Sequence, residues 1–114
     1  MVAHRGEIWW AALGSPSGSE PGYHRPVVIL QIDDFNQSSI QTVIVATLTS
    51  NSRLAQAPGN VLCRPKDTGL TKPSVVNVSQ VATIDKKHLL EKVGSLSSRL
   101  LTEVEDGVRL VLGL

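Results

Sequence analysis

The chain has 114 residues, of which 41% are hydrophobic, and its formal net charge is +1. This length suits one compact domain over residues 1–114, and the near-neutral charge argues against a protein that coats nucleic acid through phosphate contacts alone. The single cysteine, Cys63, excludes an internal disulfide, and no apolar run is long enough to span a membrane, so we expect a soluble cytoplasmic protein.

The first predicted strand covers residues 8–13 and ends at Gly14. Alternation places Trp10 on one face of this strand and Trp9 on the other. We therefore expect Trp10 in the core and Trp9 half-exposed or covered by a partner. Residues 14–24 follow, rich in Gly, Pro and Ser and without periodicity, which predicts a long loop with a binding role.

Arg25 stands where this loop meets the second predicted strand, residues 25–32. Pro26 disfavours helical geometry at the preceding residue, so Arg25 should be extended, with its guanidinium at the mouth of the strand. The almost unbroken apolar run indicates a central strand covered on both faces. The ordinary alternative for Arg25 is a solvated cation at a strand end.

A third predicted strand, residues 41–49, is rich in β-branched residues and ends at Thr49. Further short strands are predicted at residues 60–63, 74–78 and 80–84, separated by turns. Within them, Asn77 and Gln80 are polar amides in apolar surroundings. Each is either a satisfied edge residue or a ligand contact.

The C-terminal third is predicted to be helical. A first helix covers residues 86–93 and stops at Gly94, and Ser95 or Ser97 caps a second. Gly107 inside the second helix allows close approach to a strand or a second subunit. The apolar stripe of this helix consists of Leu100, Leu101, Val104, Val108, Val111 and Leu112. Short strands followed by a helix predict a mainly β (α+β) domain, most simply a small, bent antiparallel barrel, and its size favours a symmetric dimer.

The sequence has no Gly-rich phosphate loop, no carboxylate cluster for a metal, and no Cys-His pair. What remains is Arg25 and Thr49 at the ends of neighbouring apolar strands, with Ser19, Glu20 and His24 on the adjoining loop. This set is suited to holding a phosphate group.

Five segments of the chain match a known family in their order and spacing. They are Arg5-Gly6-Glu7-Ile8-Trp9, Gly18-Ser19-Glu20, His24-Arg25-Pro26-Val27-Val28, Val45-Ala46-Thr47-Leu48-Thr49 and Gln80-Val81-Ala82-Thr83-Ile84-Asp85. On these segments, and over nearly its whole length, the chain resembles the MazF/PemK family of toxin endoribonucleases.

This resemblance implies an SH3-like antiparallel barrel of the CcdB/MazF type with a C-terminal helix, assembled as a homodimer. It also implies metal-independent cleavage of single-stranded RNA, chiefly mRNA, at short sequences. The products would carry 2′,3′-cyclic phosphate and 5′-hydroxyl ends, and no cofactor would be needed. A cognate antitoxin would neutralise the activity.

The resemblance carries over Arg25 and Thr49 as the catalytic pair. We assign Arg25 to charge stabilisation rather than acid-base work, since a guanidinium is rarely neutral, and Thr49 to a hydrogen bond with the phosphate. His24 is either a proton-transfer group or a contact to the RNA.

Few aromatic residues are present, so recognition should rest on loop hydrogen bonds rather than on a stacking platform. The candidate RNA-binding residues are Ser19, Glu20, Tyr23, His24, Arg53, Asn77 and Gln80. The chain departs from some family members in Thr71-Lys72-Pro73, where they often carry an acidic residue, and in the loop at residues 53–66. These differences bear on cleavage specificity more than on chemistry.

Two other functions suit the same small barrel. One is a CcdB-like toxin that poisons gyrase by binding it, and the other is an SH3-like interaction module without catalysis. Arg25 together with Thr49 favours the ribonuclease, because neither alternative needs a cation and a hydroxyl that converge on a phosphate.

Overall fold

The computed structural model describes residues 2–14 and 23–114, which form one antiparallel sheet with a helix against it. The strands are β1 (Glu7–Ala12), β2 (His24–Ile29), β3 (Thr42–Thr49), β4 (Val61–Cys63), β5 (Ser74–Asp85) and β6 (Leu89–Ser95). The helices are α1 (Asp33–Asn36), α2 (Pro65–Thr68) and α3 (Ser98–Leu112), with 3₁₀ turns at Ser52–Gln56 and Lys86–His88. The six strands lie in the order β4-β5-β3-β2-β1-β6 and curl into a half-barrel, which confirms the mainly β fold with a C-terminal helix.

Apolar side chains cover both faces of the sheet. The helix-side core, which α3 covers, contains among others Ile8, Val28, Ala46, Leu48, Val76, Leu100 and Val104. The second core, on the other face, consists of Trp9, Ala11, Val27, Ile29, Val43, Val45 and Leu89. Strand β2 lies between β1 and β3 and contributes to both cores, so the prediction of a central strand covered on both faces is confirmed.

Trp9 corrects the sequence prediction, because it is only 2% exposed. Its indole Nε1 donates a 2.9 Å hydrogen bond to Oε1 of Glu7, and its ring packs in the second core. Alternation separated the two faces correctly, but Trp10, expected in the core, is only partly buried against the helix-side core. Alternation also could not reveal what covers the second face. The curled sheet brings Ala82 and Ile84 of β5 against that face, so no partner is needed to bury Trp9.

Residues 86–93 are a second correction, since they form a 3₁₀ turn and most of β6 instead of a helix. Strand β6 pairs antiparallel with β1, and Leu89 at its start is buried in the second core. Lys, Leu and Glu are good helix formers, but the gain from pairing and burial outweighs differences of a few tenths of a kcal/mol per residue.

Two glycines allow α2, which follows the edge strand β4, to pack against the other edge strand, β6. Gly69 ends α2 with φ +84°, and a Cβ placed there would lie 3.1 Å from the carbonyl carbon of Val93 in β6. A Cβ at Gly94 would lie 2.9 Å from the carbonyl carbon of Thr68. Side chains at either position would push α2 away from β6.

Helix α3 begins where the sequence predicted. Ser97 is its N-cap and accepts a 3.2 Å hydrogen bond from the backbone N–H of Leu100. Val104 is fully buried, and Gly107 packs directly on Gly59. A Cβ at Gly107 would also lie 3.0 Å from Cγ1 of Val78 in β5, so the predicted close approach to a strand is confirmed, and the loop at Gly59 shares the contact. Of the helices in the described ranges, none has the length and apolarity to cross a membrane.

Candidate functional site

Arg25 and Thr49 are brought to neighbouring positions by the pairing of β2 with β3. The last paired residues at this end are Val27 and Thr47. Continuing the same register by two residues places Arg25 opposite Thr49, where Cα atoms of facing strands are about 5 Å apart in a regular ladder. Both positions belong to the same face of the sheet as Val27, at the rim of the second core.

Arg25 is exposed at this rim, and it makes no ion pair with any residue in the described part of the chain. Thr49 is partly buried, and its Oγ1 accepts a 3.2 Å hydrogen bond from the backbone N–H of Asn51. Since that bond uses a lone pair of Oγ1, the hydroxyl proton stays available to a ligand. The pair can thus offer a cation and a hydroxyl donor to one anionic group.

The loop residues of the predicted site are only partly described. Tyr23 is exposed with φ +56°, and its carbonyl accepts a 2.6 Å hydrogen bond from Leu13, which holds the two ends of the β1–β2 loop together. His24 neighbours Arg25 in β2, so its side chain belongs to the opposite face of the sheet. Ser19 and Glu20 lie outside the described residues.

The other predicted binding residues lie on two different segments. Arg53 is exposed in the 3₁₀ turn that follows β3, close in sequence to Thr49. Asn77 pairs with Thr47 across β3 and β5, and its Oδ1 accepts a 2.9 Å hydrogen bond from Ser79. Gln80 lies in the bulge where the β3–β5 register shifts. Pairing thus places Asn77 on the strand next to Thr49 and two strands away from Arg25.

An open cleft of about 320 Å³ adjoins Arg25, and the sequence did not predict it. Its described lining is Trp10, His24, Arg25, Pro26, Leu48, Ser50, Leu70, Thr71, Lys72 and Ser74. We call it the Trp10 cleft. Trp10, Pro26 and Leu48 belong to the face of the sheet opposite the Arg25 and Thr49 positions. Arg25 also lines the cleft, because it lies at the end of β2, where the two faces of the sheet meet. The sequence feature that pointed to this cleft was Thr71-Lys72-Pro73, the segment in which the chain differs from some members of the family that it resembles.

The basic residues near the site differ in how they are neutralised. Arg64 is bound to Asp67 at 3.1 Å, and this hydrogen-bonded pair raises the pKa of Arg64 and lowers that of Asp67. Arg53 and Lys72 form no ion pair within residues 2–14 and 23–114. Among these basic residues, Arg25, Arg53 and Lys72 therefore keep a charge that no carboxylate of the described residues neutralises, and Arg25 and Lys72 both line the Trp10 cleft.

Cys63 does not contribute to the site. It is buried in the helix-side core, and burial raises the pKa of its thiol to about 11, with smaller contributions from Asp67 and Glu103. A protonated, buried thiol is not a nucleophile. In the described ranges, no three His, Cys, Asp or Glu side chains group together in a way that could hold a metal ion.

Comparison with known proteins gives a consistent result. A family model described as PemK-like, MazF-like toxin of type II toxin-antitoxin system matches residues 4–112. The chain is 47% identical over 114 residues to Endoribonuclease MazF2 of Mycobacterium bovis, covering 100% of both chains.

Two solved structures share the fold. The crystal structure of MazF (Form-I) from Deinococcus radiodurans has a TM-score of 0.83 and 21% identity, with 100% of this chain and 99% of that one covered. An endoribonuclease in complex with its cognate antitoxin from a mycobacterial species has a TM-score of 0.76 and 23% identity, with 99% and 95% covered.

Proposed function

This chain belongs to the PemK-like, MazF-like toxin family of type II toxin-antitoxin systems, and from that membership we propose that it is an endoribonuclease that cleaves single-stranded RNA. The observation that carries the proposed site is the register of β2 and β3, which places Arg25 opposite Thr49. A guanidinium and a hydroxyl at one rim suit a phosphodiester better than a protein surface or an apolar ligand.

In the proposed reaction, the 2′-oxygen of the RNA attacks the adjacent phosphorus and loses its proton. The bond from phosphorus to the 5′-oxygen breaks, and that oxygen takes up a proton. The products are a 2′,3′-cyclic phosphate and a 5′-hydroxyl. No bond forms between the protein and the RNA, so the residues act by positioning and charge stabilisation, while solvent water takes the proton from the 2′-oxygen and supplies one to the 5′-oxygen.

Arg25 meets the negative charge that builds up on the phosphorane. Its planar guanidinium can donate two parallel hydrogen bonds to phosphate oxygens, which an ammonium group cannot do in the same geometry. Thr49 donates a further hydrogen bond from its free hydroxyl proton. Both groups lie at strand ends held by the sheet, so little reorganisation is needed as the charge develops.

His24 is assigned to RNA binding, because it lines the Trp10 cleft together with Arg25 and its side chain belongs to the face of β2 opposite the Thr49 position. Tyr23, Arg53, Asn77 and Gln80 complete the described part of the proposed RNA-binding set. Ser19 and Glu20 are retained from the family resemblance.

We also propose a homodimer, a cognate antitoxin and a cytoplasmic location. The homodimer is supported by exposed apolar side chains at the C-terminal end of α3, among them Leu110 at 62% and Leu112 at 57%. The antitoxin is supported by family membership and by the solved complex of similar fold. The cytoplasm is where an mRNA substrate would be met.

The test is digestion of mixed cellular RNA by the purified protein in excess EDTA, followed by sequencing of the new ends. We expect cleavage at a short recurring sequence with 5′-hydroxyl ends. An oligonucleotide with hydrogen in place of the scissile 2′-hydroxyl should remain intact. Strict dependence on Mg²⁺, or cleavage of the deoxy substrate, would overturn the proposed chemistry.

A further inference from the structure

The Trp10 cleft has the composition of a nucleotide subsite. Its lining includes the apolar residues Trp10, Leu48 and Leu70 and the hydroxyl-bearing residues Ser50 and Thr71. Its volume of about 320 Å³ lies within the range of small-ligand sites, roughly 300–1,000 Å³. A single flattened ring system with polar edges suits a cleft of this kind.

The charged residues that line the cleft are basic. Arg25 and Lys72 line it together with His24, and none of its described lining residues is acidic. Lys72 is exposed and free of ion pairs within the described residues, so its ammonium group can approach a ligand. The ligand is therefore expected to be anionic as well as partly apolar.

The cleft is also held in shape by buried polar groups. Ser74 is almost fully buried, and its hydroxyl donates a 3.2 Å hydrogen bond to the carbonyl of Lys72. The hydroxyl of Thr68, which is fully buried, accepts a 3.0 Å hydrogen bond from the backbone N–H of Leu70. Both ends of residues 70–72 are thus hydrogen-bonded to buried residues, and Leu70 and Lys72 both line the cleft.

Arg25 connects the cleft to the proposed reaction, since it both lines the cleft and lies opposite Thr49. Resting on the endoribonuclease function proposed above, we propose that the Trp10 cleft binds the nucleotide next to the scissile phosphate. The base of that nucleotide packs on Trp10 and Leu70, and Lys72 contacts the phosphate on its far side. Lys72 is then a specificity and binding residue rather than a catalytic one.

The first experiment measures binding without cleavage. A single-stranded RNA pool is prepared with 2′-O-methyl groups throughout, so that it cannot be cut, and with 5-iodouracil in place of uracil. It is irradiated with the wild-type protein. The crosslinked residues are then mapped by mass spectrometry. We expect Trp10 to be the main crosslinked residue. Crosslinks that are confined to other parts of the protein would overturn the inference.

The second experiment pairs a protein change with a substrate change. In RNA carrying the cleavage sequence, the phosphates flanking the scissile bond are replaced one at a time by a neutral methylphosphonate. At one position we expect a loss of about tenfold in kcat/KM for the wild type and no further loss in Lys72→Gln. Lys87→Gln, an exposed lysine beyond the opposite end of β3, should behave like the wild type.

The outcomes separate the inference from the proposed function. If crosslinking to Trp10 occurs but RNA is not cut, the cleft is a nucleotide site and the endoribonuclease proposal fails. If RNA is cut, and Lys72→Gln matches the wild type on unmodified RNA and loses as much kcat/KM as the wild type at every methylphosphonate position, the endoribonuclease stands and the subsite is wrong. If Lys72→Gln weakens only the complex with the antitoxin, the cleft is a protein-docking site instead.

Discussion

Arg25 and Thr49 occupy opposite positions on the antiparallel strands β2 and β3, two residues beyond the last paired residues of that ladder. They are far apart in the sequence, and it is the register that makes them neighbours. Because the strands fix their separation, each residue can be changed without disturbing the other's backbone. This allows the two contributions to be measured separately.

The first prediction concerns the charge at this site. Arg25→Ala should lower kcat by roughly a hundredfold or more, because a preorganised donor to the developing phosphorane charge is lost. Arg25 is exposed, so the melting temperature should not change. Arg25→Lys keeps the charge but loses the planar fork, and we expect it to recover only part of the rate. A wild-type rate in Arg25→Ala would remove this residue from the site and favour a protein-binding toxin.

The second prediction concerns the hydroxyl. Thr49→Val keeps the shape of the side chain but removes its donor, so kcat should fall by roughly tenfold or more. Thr49→Ser should restore most of the rate. Thr47→Val is the matched control, because Thr47 lies two residues earlier on the same face of β3 and is buried. A larger kinetic loss in the control than in Thr49→Val would mean that the hydroxyl of Thr47 is the important one.

The third prediction concerns assembly. Leu110→Ser combined with Leu112→Ser should shift the protein from dimer to monomer in light scattering at micromolar concentration, since the change removes exposed apolar surface from the end of α3. Leu90→Ser, at an exposed position on β6, should leave the assembly unchanged. A wild-type protein that is already monomeric would contradict the proposed homodimer.

The fourth prediction concerns the contact between Gly107 and Gly59. Gly107→Ala improves helix propensity by up to about 1 kcal/mol, but its Cβ would lie only 2.9 Å from the carbonyl carbon of Gly59. We expect a net loss of about 1–2 kcal/mol in the free energy of unfolding, measured in urea. Thr102→Ala, exposed on the same helix, should change it by less than about 0.5 kcal/mol. Equal free energies of unfolding for Gly107→Ala and Thr102→Ala would show that the loop at Gly59 shifts to accommodate the added Cβ at little cost.

The fifth prediction concerns acid stability. Burial acts to raise the pKa of Glu7, but hydrogen bonds from Trp9, His4 and Lys92 outweigh it and hold the pKa below its ordinary value of 4.5. A carboxylate whose pKa is lower in the folded state stabilises the fold above its unfolded pKa. That stabilisation is lost as the pH falls through the folded pKa.

Glu7→Gln should therefore flatten the decline in melting temperature below about pH 4.5 while lowering stability at neutral pH. Glu91→Gln, which alters an exposed carboxylate on β6, is the control and should keep the decline of the wild type. A steeper decline in Glu7→Gln than in the wild type would show that the ionised carboxylate of Glu7 does not stabilise the fold.

The sequence was informative where a local rule decides the outcome. Pro26 and the abrupt change from polar to apolar residues marked Arg25 as a strand-end residue, and the end of a β-branched run marked Thr49 in the same way. That these ends face each other depends on which strands pair and in what register. Neither the pairing nor the register can be predicted from a single stretch of sequence.

The failures have one physical cause, which is that tertiary contacts override local preference. Residues 86–93 have helix-forming composition, yet they pair with β1 because Leu89 can be buried there. Trp9 lies on the face assigned to solvent or a partner, yet the curl of the sheet encloses it. The Trp10 cleft joins residues from β1, β2, β3 and the α2–β5 connection, so only the folded chain reveals it.

The packing of α2 against the edge strand β6 bears on aggregation. Strands β4 and β6 end the sheet, and an open strand edge is a template on which other copies of a chain can add. Strand β4 has only three residues, and Gly69 and Gly94 let the end of α2 lie against β6. A larger side chain at Gly94 would lift α2 away and expose that edge. We therefore expect the two glycines to hinder edge-to-edge pairing of copies of the chain at the Val93 and Gly94 end of β6.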